Sequence, residues 1–178
     1  MFYSDQKLLG YEKNFEWSKS VEHLIARFEK DQSDIILSTL IGCTWLYFFE
    51  GATYSGNYKK EALDPFHYQT ILQQYIQIGL QRDFSDELQF MIGFILSLHG
   101  DVIGFPNGDQ TGEKLLVQCG NTCGNEYLKA FSNFLIDKCK KRILPPQIIA
   151  GLKETVFSGE LLLDHYFREV WCQSKSGK

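Results

Sequence analysis

Residues 34–50 read Asp34-Ile-Ile-Leu-Ser-Thr-Leu-Ile-Gly-Cys-Thr-Trp-Leu-Tyr-Phe-Phe-Glu50, and the 15 residues between the two acids are the longest uncharged apolar run in the chain. A membrane span takes about 20 apolar residues, and Ser38, Thr39 and Thr44 dilute this run further. A segment that is apolar almost all round suits a helix buried in the middle of a fold. The run reads as a central core helix.

Helical spacing continues on both sides of it. Val21, Leu24, Ile25 and Phe28 make one apolar stripe, with Glu22, Arg27 and Glu29 off it. Asp64-Pro65 is a helix start, Asp as cap and Pro at the first position. From there Tyr68, Ile71, Leu72, Tyr75, Ile76 and Leu80 keep the 3-4 spacing. Ser85 caps the next helix, whose first turn carries Asp86 and Glu87, where the helix dipole favours acids. Leu88, Met91, Ile92, Ile95 and Leu96 form its stripe, with Phe90 and Phe94 on the other side.

Gly100 to Gly112, rich in Gly, Asp, Asn and Pro, reads as a loop, followed by a short helical piece near Glu113 to Gln118 and a break at Gly120-Asn121-Thr122. A helix over Gly124 to Lys141 closes in a basic turn, another starts at Pro145-Pro146, and a last one carries Leu162, Leu163, Tyr166 and Phe167. No stretch alternates apolar and polar residues long enough to propose a strand. The pattern predicts an all-α, single-domain antiparallel bundle of about seven helices over residues 1–173, with a frayed tail at 174–178.

The chain has 178 residues, 44% of them apolar and 22% charged, enough for one compact core without a disulfide or metal staple. That composition excludes a disordered chain, a collagen and a coiled-coil rod. The five cysteines are an odd number, and the first ten residues have no apolar stretch of signal-peptide length. Reduced thiols in a cytoplasmic protein are the expectation.

Charge is unevenly distributed. The net charge is −4, yet residues 61–130 hold 9 acidic and 3 basic side chains, and Arg82 is the only Lys or Arg between Glu61 and Glu113. Taken singly, Asp64, Asp83, Asp86 and Glu87 are ordinary acids at helix N-termini. Taken together, with hairpin connections gathered at the rims of a bundle, they predict an acidic patch around loop aromatics such as Phe84 and Phe105. Such a surface suits a basic protein partner and is a poor match for nucleic acid, whose phosphates it would repel.

Motifs for chemistry are sparse. There is no Gly-x-Gly-x-x-Gly or Gly-Lys-Ser/Thr loop and no Glu-x-x-His pair for a di-iron bundle. No metal or other cofactor is expected. His99-Gly100-Asp101 is the best catalytic or metal pair, with a dipole-favoured histidine at a helix end as the plainer reading. Cys119 and Cys123 lack the second close pair of a zinc site. Cys123, near the expected start of the Gly124 helix, could be a reactive thiol. Tyr54 and Tyr58, after the aromatic Tyr47-Phe48-Phe49, suit a protein contact.

The expected function is therefore a non-catalytic, protein-binding domain of immunity or inhibitor type, neutralising a basic toxin such as a nuclease. The expected contacts are Tyr54, Tyr58, Asp83, Asp86, Glu87, Asp101, Phe105 and Asp109, with no membrane or nucleic-acid partner. Two alternatives remain open at the level of sequence. One is a small helical enzyme built around His99, Asp101, Cys119 and Cys123. The other is a ligand-binding regulator with an apolar pocket between Ile35–Phe49 and Leu88–Leu98.

Overall fold

A computed structural model describes residues 2–50, 64–137 and 144–172. Among them are nine α-helices and no strand. In chain order they are α1 (Gln6–Lys13), α2 (Trp17–Lys30), α3 (Asp34–Trp45), α4 (Pro65–Leu80), α5 (Asp86–Ile103), α6 (Gly108–Thr122), α7 (Glu126–Ile136), α8 (Pro146–Gly151) and α9 (Leu162–Tyr166). Single π-helical turns extend α3 (Leu46–Glu50), α8 (Leu152–Val156) and α9 (Phe167–Trp171).

α3 is the centre. Every residue from Ile36 to Tyr47 is buried, and α2, α4, α5 and α9 all pack against it. A helix without a solvent face must hide its own polar side chains. Ser38 and Thr39 donate to the Ile35 carbonyl at 3.0 and 2.7 Å, and Thr44 donates to Leu40 at 2.7 Å. Thr39 Oγ1 also accepts the Tyr3 N–H at 2.7 Å, which ties the N-terminal segment to the core. The apolar run is thus a core helix, and no described helix is long and apolar enough to cross a membrane.

The arrangement differs from an antiparallel bundle of about seven helices. α3 runs antiparallel to α2, with Trp17 against Tyr47 (4.5 Å), but parallel to α5. At one end Asp34 accepts the Ser85 N–H at 3.0 Å, and at the other Trp45 packs on Phe94 and reaches His99. Gly42 fits between Met91 and Leu163, so at this level the two uncharged helices close on each other.

The region from Gly100 to Gly112 is also helical for most of its length. α5 runs on to Ile103 and α6 begins at Gly108, leaving only 104–107 as the connection. The glycines there are packing surface. A Cβ on Gly100 would lie 2.6 Å from Gly108 Cα, and one on Gly112 would lie 2.2 Å from Ser97 N, so the two backbones touch. α6 ends at Thr122 with Cys123 as its cap, and the following helix starts at Glu126.

α9 has an apolar cap residue, Leu161, and borrows its capping groups. Glu12 of α1 accepts the Leu162 N–H at 2.9 Å, while the Asp164 carboxylate takes the Gly159 and Leu161 N–H groups. The same Glu12 accepts the buried Tyr47 hydroxyl. The basic turn at Lys138–Arg142 and the tail at 174–178 lie outside the described residues.

Candidate functional site

The end of the molecule where α5 turns into α6 is built rigidly. Gly104 caps α5 in the left-handed region (φ 94°), its N–H bonding back to the Gly100 and Asp101 carbonyls at 3.1 Å. The last carbonyls of the helix are satisfied from α4. Gln69 Nε2 donates to Val102 and Ile103 at 3.1 and 3.2 Å, and Gln73 Nε2 donates to Ile103 at 2.6 Å.

Phe66, Gln69 and Gln73 share one face of α4 by their i, i+3, i+7 spacing. That face meets the end of α5, so Phe66 stands on the side where Val102 emerges. Phe66 is 79% exposed and Val102 60%, unusually high for large apolar side chains. Asp64, which caps α4 by accepting the Phe66 N–H at 3.1 Å, Asp101 and Asp109 are exposed on the same three helix ends, with Phe105 half-buried between the helices. The described residues of this end, 64–70 and 99–113, contain no lysine or arginine. Among the described residues, this end thus carries two exposed apolar side chains and three exposed carboxylates.

The expected contacts do not all converge here. Asp101, Phe105 and Asp109 do. Asp83, Asp86 and Glu87 lie at the opposite end of the 18-residue α5, a helix about 27 Å long at 1.5 Å per residue. Asp86 there holds the α6–α7 turn by accepting the Gly124 and Asn125 N–H groups at 2.8 and 3.2 Å. Arg82 pairs with Asp34 at 3.1 Å and stacks on Phe28, so it stays away from the acidic end. Tyr54 and Tyr58 fall outside the described residues. Phe66 and Val102 escaped the sequence reading because nothing in their local pattern shows that the face of one helix abuts the end of another.

The groups named for catalysis have structural tasks. His99 sits at a kink in α5 (φ −138°, ψ 15°), its ring stacked on Phe49 at 4.2 Å. Its Nδ1 accepts from Trp45 Nε1 at 3.1 Å, and burial pushes its pKa down. Asp101, two residues on, faces solvent. Cys119 and Cys123 are both buried free cysteines whose thiols share a hydrogen bond. Burial raises both thiol pKa values, and the Asp86 carboxylate beside Cys123 raises that one further. Cys123 closes a helix instead of opening one, so no N-terminal dipole favours a thiolate there.

One further polar cluster is sealed in the core. Glu12, Tyr47, Cys43 and Asp164 are all buried, and burial raises the pKa of each. Among the described residues no group of three His, Cys, Asp or Glu side chains could hold a metal ion. Comparisons with protein-family models, curated proteins and solved structures find no match to the chain.

Proposed function

We propose that the chain is a non-catalytic protein-binding domain of immunity or inhibitor type, which receives a basic protein such as a toxin nuclease on the α4–α5–α6 end. The observation that supports this reading is that Phe66 and Val102, both exposed, stand where the glutamines of α4 hold the end of α5, with Asp64, Asp101 and Asp109 exposed on the same three helix ends. An aromatic anchor that loses water on docking supplies affinity. The carboxylates of the same end raise the encounter rate with a cationic surface and reject acidic ones. A turn already held in place loses little freedom when it binds.

The test compares charge reversal at the two ends. A cationic partner isolated from the native cell should bind D101K/D109K about 100-fold more weakly than the unaltered protein, because each close interfacial charge pair couples by about 1.5 kcal/mol or more. The same reversal at the far end, D83K/E87K, should change affinity less than about 3-fold, since the two ends are more than two Debye lengths apart at physiological salt. Phe66→Ala should cost about 10-fold or more through the dissociation rate. Equal losses at the two ends, or binding indifferent to salt, would overturn the electrostatic reading.

A further inference from the structure

α2 and α4 both lie on α3, and between them they leave a cavity. Ser18 Oγ and Tyr68 OH meet at 3.2 Å at one end of the gap, and the Phe28 and Tyr75 rings meet nearly at right angles, centroids 5.9 Å apart, at the other. In between is a solvent-open pocket of about 370 Å³. Its floor is Val21, Ile71, Tyr68 and Tyr75, all buried, with Ile25 half-buried. Its lip carries the exposed Glu22 on α2, and His67 and Gln74 on α4.

Among its lining residues Glu22 is the one carboxylate. Neither lysine nor arginine lines the pocket. On α2, Lys19 pairs with Glu16 at 2.8 Å, and Arg27 lies over the Tyr3 ring at 5.4 Å. Glu29, one turn beyond the pocket, is close enough for its field to act on the Tyr75 hydroxyl. An apolar floor with two tyrosine rings, under a lip whose only carboxylate is unopposed by a lining cation, complements a positive charge carried on an apolar body.

We propose that this pocket binds a small organic cation with an aromatic or branched apolar body, an arylalkyl- or alkylammonium. The volume lies near the low end of the roughly 300–1,000 Å³ of small-molecule sites. Tyr68 and Tyr75 bound the floor two helical turns, about 10 Å, apart on α4, too short a trough for a docked helix. The ring faces take the apolar body and Glu22 takes the ammonium. The pocket shares the His67–Tyr68 turn of α4 with the docking end, but its lining is otherwise α2 and the rest of α4, and the proposal does not rest on the docking reading.

The experiment is a titration of the isotope-labelled full chain with tryptamine, followed by amide NMR shifts, beside its neutral analogue tryptophol. Saturable shifts should concentrate on Ser18–Ile25 and His67–Tyr75, with tryptophol at least about 5-fold weaker. Glu22→Gln should weaken tryptamine by about 5-fold, the upper range for an exposed ion pair, and leave tryptophol unchanged. Gln74→Trp, a bulky change at an exposed position, should remove both ligands, while D101K/D109K should remove neither. Equal binding of the two ligands, shifts centred elsewhere on the chain, or no saturable shift would each overturn the proposal.

Discussion

At the scale of single residues, Asp5 shows how much one carboxylate does for local order. It caps α1 by accepting the Leu8 N–H at 2.8 Å, takes the Tyr3 hydroxyl at 2.5 Å and faces His23 Nε2 at 2.9 Å. Burial works against its charge, but these hydrogen bonds outweigh burial and hold its pKa at about 2. A depressed carboxylate stabilises the folded chain above its unfolded value near 3.8, and that contribution is lost as pH falls from about 4 to 2. Asp5→Asn keeps a capping oxygen but loses the charge, so it should cost about 1 kcal/mol at pH 7 and progressively less as pH falls through about 2, measured by urea unfolding at pH 7 and 2. The thiols are a second case at this scale. Cys119 and Cys123 are buried and held protonated, so brief iodoacetamide treatment of the native chain at pH 7.5 should leave both unmodified in peptide mass maps. Rapid alkylation of either would restore the reactive-thiol reading.

At the scale of elements, glycine decides how close two helices come. Gly112→Ala would place a methyl 2.2 Å from Ser97 N and 2.7 Å from Gly93 O, both backbone atoms that cannot swing aside. The α5–α6 pair must then part, at a cost of about 2–3 kcal/mol, or a melting temperature lower by about 5–10 °C. Gly10, in the middle of α1 with nothing within 4 Å of its would-be Cβ, is the control. Gly10→Ala should stabilise by about 0.5–1 kcal/mol. The same contrast marks what was legible in the sequence. The starts of α4 and α5 were, because Asp64 and Ser85 each accept a first-turn N–H. So was the central place of α3, because a helix without a polar face has nowhere else to go. The α5–α6 contact was not, because glycines used for close approach have the same composition as a loop. α1 was missed because its two buried leucines are too few to make a stripe, and only its capping aspartate announced it.

At the scale of the whole molecule, the ends of the described chain are joined through a pair of buried carboxyls. Glu12 on α1 caps α9 at Leu162, and Asp164 faces it from inside α9, with Arg168 bracing the 157–159 turn through the Phe157 and Gly159 carbonyls. No spacing rule could have paired residues 150 positions apart, just as none could place Phe66 beside the end of α5. Burial pushes the Asp164 pKa up to about 6 despite the Arg168 charge and its backbone donors, and Glu12 is raised as well. A raised carboxylate means that the folded chain holds a proton the unfolded chain has released. Stability thus falls as pH rises from the unfolded value near 3.8 through about 6, and the loss is complete above that. Asp164→Asn keeps an acceptor for the Gly159 and Leu161 N–H groups and cannot ionise. It should match the unaltered protein at pH 4 and exceed it by about 1–3 kcal/mol at pH 7.5, up to the two-unit shift at about 1.4 kcal/mol each. Asp164→Ala, which loses those bonds too, should be weaker at both pH values. Urea titrations of the three proteins at pH 4 and 7.5 decide the matter. If the unaltered chain and D164N keep the same stability difference at both pH values, the buried carboxyl is not what links stability to pH.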